Sequence, residues 1–566
     1  MTHTDVAIIG GGPAGLMLAI ELGCRGVRCL LLEEDVEGPS FPKANATSSR
    51  TMEHYRRRGF SEQVRSLGLA ADHPQDIVYC TTLAGHELAR FAVPSRQQAQ
   101  ARSAFGDYGE ASWPTPELPH RGQQMLIEPV LREQARRYPS VDARFGWRAQ
   151  ALSQDAQGAR IEALDTTTGQ THDVAARYVV GCDGPHSLVR KTCGIAYSGQ
   201  SKETREFFGG QMLSVYFRSP TLYDVLGKAR AWQYWAVNPV RRGLLVAIDG
   251  VDHFLFGLQM APDQTQEMVD VKAALHAAVG APFDYELIAA GPWHAGFTLV
   301  ADRFDSGRAF IAGDAAHLFT PTGGMGYNTS VDDVVNLGWK LAAVIQGWAP
   351  PTLLDSYQAE RQPIAHRNTR FARAMADSIG LIGLPPGIDG EGAQAEAARR
   401  ELGQALLRHV RSEFNIPGLQ LGLRYEGSPI VAAEDGPAPP DDPNHYQPSA
   451  RPGGRAPHAW VDGRSLFDLF GPDFTLLCLP GAGQATPADA LRVWQDEAAR
   501  RGLPLQVLEL ADDELRQLYE APCALIRPDH HVAWRGSPAA DPAAVLALAT
   551  GAAQAQAQVR TAHAAT

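Results

Sequence analysis

Three groups of residues in this chain have types and spacings suited to chemistry. The first is GGGPAG, in which Gly10, Gly12, Pro13, Ala14 and Gly15 form a G-x-G-x-x-G. There the first glycine makes a tight turn, the second lets the backbone approach a pyrophosphate, and the third lets a helix pack closely on a strand. Glu33, followed by Glu34, lies roughly twenty residues on, where a carboxylate accepts hydrogen bonds from ribose hydroxyls. The second is Asp183 in GCDG, open equally to a close cofactor approach and to an ordinary Asp-Gly turn. The third is GDAAH, whose Asp314 is placed to bind ribityl hydroxyls, with the loop PTGGMGYN behind it. Backbone N–H groups of such a loop, at a helix N-terminus, can stabilise negative charge on a reduced flavin. His317 is either a base or a structural histidine beside that loop. Lys43 and Arg50 flank the first two strands' carboxyl ends and suit phosphate, whereas Glu53 and Arg57 read as a solvated helix face. Gln124, just ahead of a helix, is a candidate ligand to flavin or ribityl.

These residues need strands and helices to hold them. Asp5–Gly10 and Val27–Leu32 are short apolar runs of the kind buried parallel strands require. Leu16, Ala19, Ile20 and Gly23 mark one face of the helix between them. Together with the acidic end of the second strand they predict a dinucleotide site, FAD or NAD(P), on a Rossmann-like α/β domain. Further strands are expected at Val141–Trp147, Arg160–Leu164, His172–Val180 and Arg308–Ala312. Period-2 alternation in Met212–Phe217, Ala231–Val237, Gly243–Asp249 and Phe254–Gln259 predicts an inserted antiparallel sheet, which supplies a second wall and so a pocket. We therefore divide the chain into a cofactor domain at 1–200 and 298–370, a substrate domain at 201–297 and a helical segment at 371–431. A proline-rich linker at 432–454 leads to a compact βαβ-like C-terminal domain at 455–566.

Composition narrows the function. The 566 residues carry a net charge of −12 with no concentrated basic face, which argues against nucleic acid. No apolar run approaches a membrane span, and the N-terminus runs straight into a strand, leaving no room for a signal peptide. Seven cysteines lack any C-x-x-C, so neither a disulfide framework nor a metal site is expected. Cys478 and Cys523 are far apart in sequence, and thiol exchange between them is not expected. These features imply a cytoplasmic enzyme; a homodimer is a possible assembly.

GGGPAG with Glu33, DGPHS-LVR at Asp183–Arg190, and GDAAH followed by PTGGMGYN resemble the flavin-dependent aromatic hydroxylases, the single-component class A FAD monooxygenases. PKANATSSRTME at Pro42–Glu53, Gln124–Glu128 and LGLRY at Leu421–Tyr425 also look like that family, and the C-terminal part resembles the phenol- and polyketide-hydroxylase branch with its thioredoxin-like domain. The resemblance implies FAD, NADPH or NADH as reductant, and molecular oxygen, with a flavin C4a-hydroperoxide delivering one oxygen to a phenolic ring. It implies that Glu33 holds the adenosine ribose, Gln124 the ribityl or phosphate side and Asp314 the ribityl chain. Asp183 would serve FAD and the approach of NADPH, and Pro321, Gly324, Met325, Gly326 and Asn328 would lie along the isoalloxazine ring. Lys43 stands where many members have Arg, which loses a bidentate fork. A residue accepting the phenol proton is expected; Asn45, Tyr216, Tyr234 and His294 are the candidates. The aromatic, charge-poor region Gln211–Met260 suits a phenol better than a benzoate, provided Arg218 and Arg230 face solvent.

Overall fold

The structure, a computed structural model, describes residues 1–101, 107–108, 110–201, 209–238, 242–261, 263–481 and 483–555. It is α/β. Five parallel strands lie in the order Ala309–Ile311, Thr171–Gly181, Thr2–Ile9, Cys29–Glu33, Val141–Phe145, with Asp305–Ser306 antiparallel at one edge and the hairpin Trp147–Gln154/Ala159–Asp165 antiparallel to the first half of Thr171–Gly181. Cys29–Glu33 and the carboxyl-terminal halves of Thr2–Ile9 and Thr171–Gly181 are apolar and buried, as the inner strands of a parallel sheet covered on both faces must be. Pro13–Gly23, buried almost throughout, packs on the long helix Met325–Gln346. Parallel strands carry their carboxyl ends to one edge. Gly10, Glu33, Asp183 and Asp314 each follow or end such a strand, so residues up to three hundred positions apart meet there.

The second sheet has seven strands, in the order Glu286–Ala295, Gly210–Arg218, His253–Gln259, Arg242–Ala247, Gln233–Val237, Ile77–Cys80, Glu87–Phe91. It departs from expectation in recruiting two strands from the first two hundred residues, and Ile77–Cys80 joins it parallel to Gln233–Val237. Ile77–Cys80 gives no alternation signal because all of it is buried, and Glu87–Phe91 alternates over only five residues. Helix Ala393–Phe414 lies across this end, where Gly403 has Leu88 O only 2.2 Å from a would-be Cβ.

The C-terminal sheet runs Leu505–Glu509, Phe474–Cys478, Cys523–Ile526, Val532–Gly536, its first two strands parallel and the rest antiparallel. Residues 432–454 hold no helix or strand, yet they are pinned. Glu434 pairs with Arg451 and Arg535, and Asp441 with Arg367. The turn between the last two strands drives into the first domain. Arg527 binds Glu360 through two bonds of 2.6 and 2.9 Å, Lys340 Nζ lies 2.6 Å from the same carboxylate, and all three side chains are fully buried. No helix of the described residues is long and apolar enough to cross a membrane.

Candidate functional site

Packing dictates two of the glycines. Gly10 has φ +101°, and a Cβ there would lie 2.3 Å from Cys182 O; one on Gly15 would lie 1.9 Å from Gly10 O. Gly12 is different. Nothing stands within 4 Å of its would-be Cβ, so the backbone borders open space at the N-terminus of Pro13–Gly23. Free N–H groups and the positive dipole end face that space. Pro13 starts the helix without losing a hydrogen bond, and Ala14 is buried against it.

Glu33 closes the cradle: its carboxylate accepts from Gly11 N–H and, at 2.9 Å, from Asp35 N–H. Glu34 does not join it. One residue past the strand's end, it is turned to the surface and pairs with Arg148 at 3.0 Å. Gln124 donates its backbone N–H to Ala44 O at 2.8 Å and its amide to Glu128 at 3.2 Å. Burial pushes the Glu128 carboxyl up, Gln124 and Arg132 oppose this, and Glu33 and exposed Lys43 lie close enough to act on it as well. Glu33, Lys43, Gln124 and Glu128 thus gather on one side of the glycine turn.

Arg50 does not reach this group. It is buried, bonded to Glu53 at 2.9 Å and to Asp529 O of the C-terminal turn. Nor is its helix face solvated. Glu53 sits between Arg50, Arg455 and Thr115, and Arg57 binds Glu21, a fully buried carboxylate that Arg25 and Arg58 also hold. Burial alone would raise the Glu21 carboxyl; the three arginines bring it well below the usual range.

Asp183 is a helix cap as well as a strand-end acid. Its Oδ2 accepts from Leu188 N–H at 2.7 Å and Val189 N–H at 3.3 Å, while Oδ1 is buried without a partner. Burial raises its carboxyl, and those bonds hold it back. Asp314 lies across the edge. Its carbonyl accepts from Tyr197 OH at 2.5 Å, and the Tyr197 ring lies under the Arg190 guanidinium at 4.0 Å. The Asp314 carboxyl is reachable by solvent but crowded by protein, so desolvation raises it, against His317 and Lys43. His317 is structural: fully buried, its Nε2 lies 2.6 Å from Asp333, which Arg361 holds at 2.8 Å and which also receives Gly313 N–H. Asp333 is buried on a partly polar stretch of its helix, beside Thr329, Ser330 and Asn336, and its role depends on Arg361 of another helix, so no local pattern in the sequence marked it.

The glycine loop turns through Gly323 (φ +70°) and Gly324 (φ +63°) into the helix Met325–Gln346. Gly326 has no neighbour nearer than Phe319 at 3.7 Å from its would-be Cβ, so the first turn's N–H groups look into open space, and Pro321 is exposed beside it. The Asn328 and Met325 side chains are both engaged by the protein itself. The Asn328 amide is fully used, donating to Ala46 O (3.0 Å) and Gly324 O (2.7 Å) and accepting from Ser48 N–H (2.7 Å) and Thr51 OH (2.8 Å). It clamps the loop to the Pro42–Glu53 segment. Met325 points into a cluster with Phe371, Ile416 and Leu419. From behind, Glu413 of the Ala393–Phe414 helix accepts Gly323 N–H at 2.9 Å, and His409 Nε2 lies 2.9 Å from its other oxygen. The sequence offered no hint of this support.

The four proton-acceptor candidates separate. Tyr234 is committed: its hydroxyl accepts from Ala231 N–H at 2.7 Å and donates to Ala229 O at 3.3 Å. Tyr216 stands over His253, beside Asp249 and Asp252, five residues along its strand from Gln211, the partner of His294. At about 3.4 Å per residue that is ~17 Å away. His294 stands at the other end, its ring 4.9 Å from Phe297, just before a strand that pairs with His317–Leu318. Its Nε2 is buried without a partner. Asn45 is half-buried on the clamped segment. Arg218 turns to Asp252 at 2.7 Å, and Arg230 to Gly250 O and the Tyr223 ring.

The donor set fits FAD: a backbone-only approach at Gly12, a ribose-side carboxylate, and acids at two further strand ends. Comparisons with known proteins agree. A family model described as FAD binding domain matches residues 3–372, and one described as aromatic-ring hydroxylase, C-terminal, matches residues 449–557. The FAD-dependent monooxygenase apdD of Emericella nidulans is 31% identical, over 94% of this chain and 87% of its own. Phenol 2-monooxygenase of a Pseudomonas species (strain EST1001) is 30% identical, over 96% and 92%. Among solved structures, the rebeccamycin biosynthetic enzyme RebC with reduced flavin superposes with a TM-score of 0.86 at 33% identity, over 97% of this chain and 99% of that one. A ternary complex of aklavinone-11 hydroxylase with FAD and aklavinone gives 0.79 at 28%, over 97% and 99%.

Proposed function

Because this chain belongs to the FAD-dependent aromatic-ring hydroxylases, we propose that it hydroxylates a phenolic compound, taking electrons from NADPH or NADH and one oxygen atom from O₂. FAD, when bound, supplies the electron transfer and the oxygen activation. The protein's part is to bind, orient and exclude water. The Gly12 backbone and the Pro13–Gly23 N-terminus take the pyrophosphate, Glu33 the ribose, and Asp314 the ribityl hydroxyls. The N–H groups at Met325 and Gly326 face negative charge on the ring. The single observation that carries this reading is the convergence of Gly10–Gly15, Glu33, Asp183 and Asp314 at one sheet edge.

A phenol reacts best as phenolate, so its proton needs an acceptor. His294, with a buried and unpartnered Nε2 at the cofactor end of the second sheet, takes that role, and Asn45 helps orient the ring. Arg218 and Arg230 both point away from the wall, which favours a hydroxyl handle over a carboxylate. The test is NADPH and NADH consumption, hydroxylated product and peroxide release across matched phenols and hydroxybenzoates. Coupled product from phenols is expected. Preference for the carboxylates would refute the substrate class, and aromatic-stimulated oxidation without product would instead mark a flavin reductase.

A further inference from the structure

Two cysteines separated by 45 residues, which their spacing gave no reason to connect, stand directly opposite each other in the C-terminal sheet. Cys478 ends the strand Phe474–Cys478 and Cys523 begins the antiparallel strand Cys523–Ile526, with the sulfurs 3.4 Å apart and both residues fully buried. Leu479 N–H donates to Pro522 O at 2.7 Å, which makes this a non-hydrogen-bonded cross-strand pair. In such pairs the Cα atoms lie about 4.5 Å apart, inside the range that a disulfide spans. Closing a bond of about 2.05 Å needs an approach of roughly 1.4 Å, within reach of two χ1 adjustments.

We propose that Cys478 and Cys523 form a redox modification site, at which hydrogen peroxide closes a cross-strand disulfide. The chemistry balances in two steps. The Cys523 sulfur attacks one peroxide oxygen, an S–O bond forms as the O–O bond breaks, and the second oxygen leaves with the thiol proton as water. The Cys478 sulfur then attacks the Cys523 sulfur, an S–S bond forms as the S–O bond breaks, and the hydroxyl leaves with the Cys478 proton as a second water. Two thiols lose two electrons and peroxide gains them. The two sulfurs share one hydrogen bond and burial pushes both thiols up; Arg516 favours a thiolate on Cys523, against Glu509, and so gives that sulfur the first attack. A thiolate is the form that peroxide oxidises.

The location gives the modification a consequence. Four residues beyond Cys523 come Arg527 and then Asp529, which grip Glu360 and Arg50 in the first domain. A bond from Cys523 to the central strand ties the root of that grip into the sheet, raising the resistance of the docked C-terminal domain to unfolding.

The experiment treats folded holoenzyme with hydrogen peroxide, alkylates the remaining thiols and maps peptides without reduction. We expect a linked peptide pair containing Cys478 and Cys523, slow formation because both sulfurs are buried, and a higher Tm that dithiothreitol reverses. Cys24, Cys182 and Cys193 are only half-buried, so their oxidation serves as the internal measure that peroxide reached the protein. A Cys523→Ser variant should lose the linked peptide and the Tm rise while keeping the starting Tm near wild type. Full alkylation of Cys478 and Cys523 when the half-buried cysteines are already oxidised would overturn the proposal. So would a link that forms only in unfolded chain.

Discussion

Glu413 offers the sharpest test of how the cofactor loop is held. Its carboxylate is 3% exposed and accepts Gly323 N–H at 2.9 Å, at a glycine whose φ of +70° sets the direction of the turn. Thr322 OH to Ala372 O at 2.5 Å and Asn328 to Gly324 O at 2.7 Å also brace the loop, through uncharged groups, whereas Glu413 brings a charge. Glu413→Ala removes a charge-assisted hydrogen bond worth about 1.5–3 kcal/mol and leaves the N–H unpaired. If bound FAD requires the braced loop, that energy is paid on binding, and the dissociation constant rises about 10- to 150-fold. Glu413→Gln keeps an acceptor oxygen and should recover most of the loss. The assay is reconstitution of apoprotein followed by flavin fluorescence, with urea unfolding of each variant to show that the fold is intact. Binding by the alanine variant within about two-fold of wild type, well under 1 kcal/mol, would refute the argument that this carboxylate preorganises the loop.

Three further outcomes follow from named contacts. Glu360→Ala strands Arg527 and Lys340 in the interior and should cost about 3–5 kcal/mol by urea unfolding; a loss below about 1 kcal/mol would mean that the interdomain turn does not depend on this carboxylate. Tyr234→Phe should leave kcat within about two-fold and lower stability by ~1–3 kcal/mol, because Ala231 N–H loses its acceptor; a large kcat loss at unchanged stability would return Tyr234 to the catalytic set. Burial lowers His54 to about 4 and His120 and His458 to about 3, from an ordinary 6.5, so all three are neutral when folded and charge more readily when unfolded. Their contribution is whole above pH 6.5 and is lost as pH falls from there toward 4 and 3, roughly 2 kcal/mol per histidine by pH 5. A urea midpoint that stays flat between pH 7 and pH 5 would contradict these assignments.

What the sequence made legible was whatever a short stretch of backbone decides. Gly10, Gly12 and Gly15 can be read because their turn, their approach and their close packing are local requirements, and the strands beneath them announce themselves as apolar runs. Asp183 and Asp314 were legible for the same reason: each follows a buried strand, and the parallel sheet gathers such positions at one edge. What escaped is whatever depends on a partner distant in the chain. Glu53 and Arg57 look like a solvated helix face until Arg455, 402 residues from Glu53, and Glu21 are seen beside them. Arg50 carries the right charge for phosphate, but Asp529 O takes it first. Asn328 also clamps two segments together and Met325 also packs in a core cluster, contacts that the motif does not announce, because a motif marks a backbone path and leaves side-chain direction to packing. The buried charges escaped together, and for one reason. Every carboxylate among Glu21, Glu53, Asp333 and Glu360 is matched by an arginine from another segment. A charge can be sealed in the interior only when its counter-charge is delivered at the same moment. For Glu53 and Glu360 that counter-charge comes from beyond residue 450, so the C-terminal domain completes the interior of the cofactor-binding half.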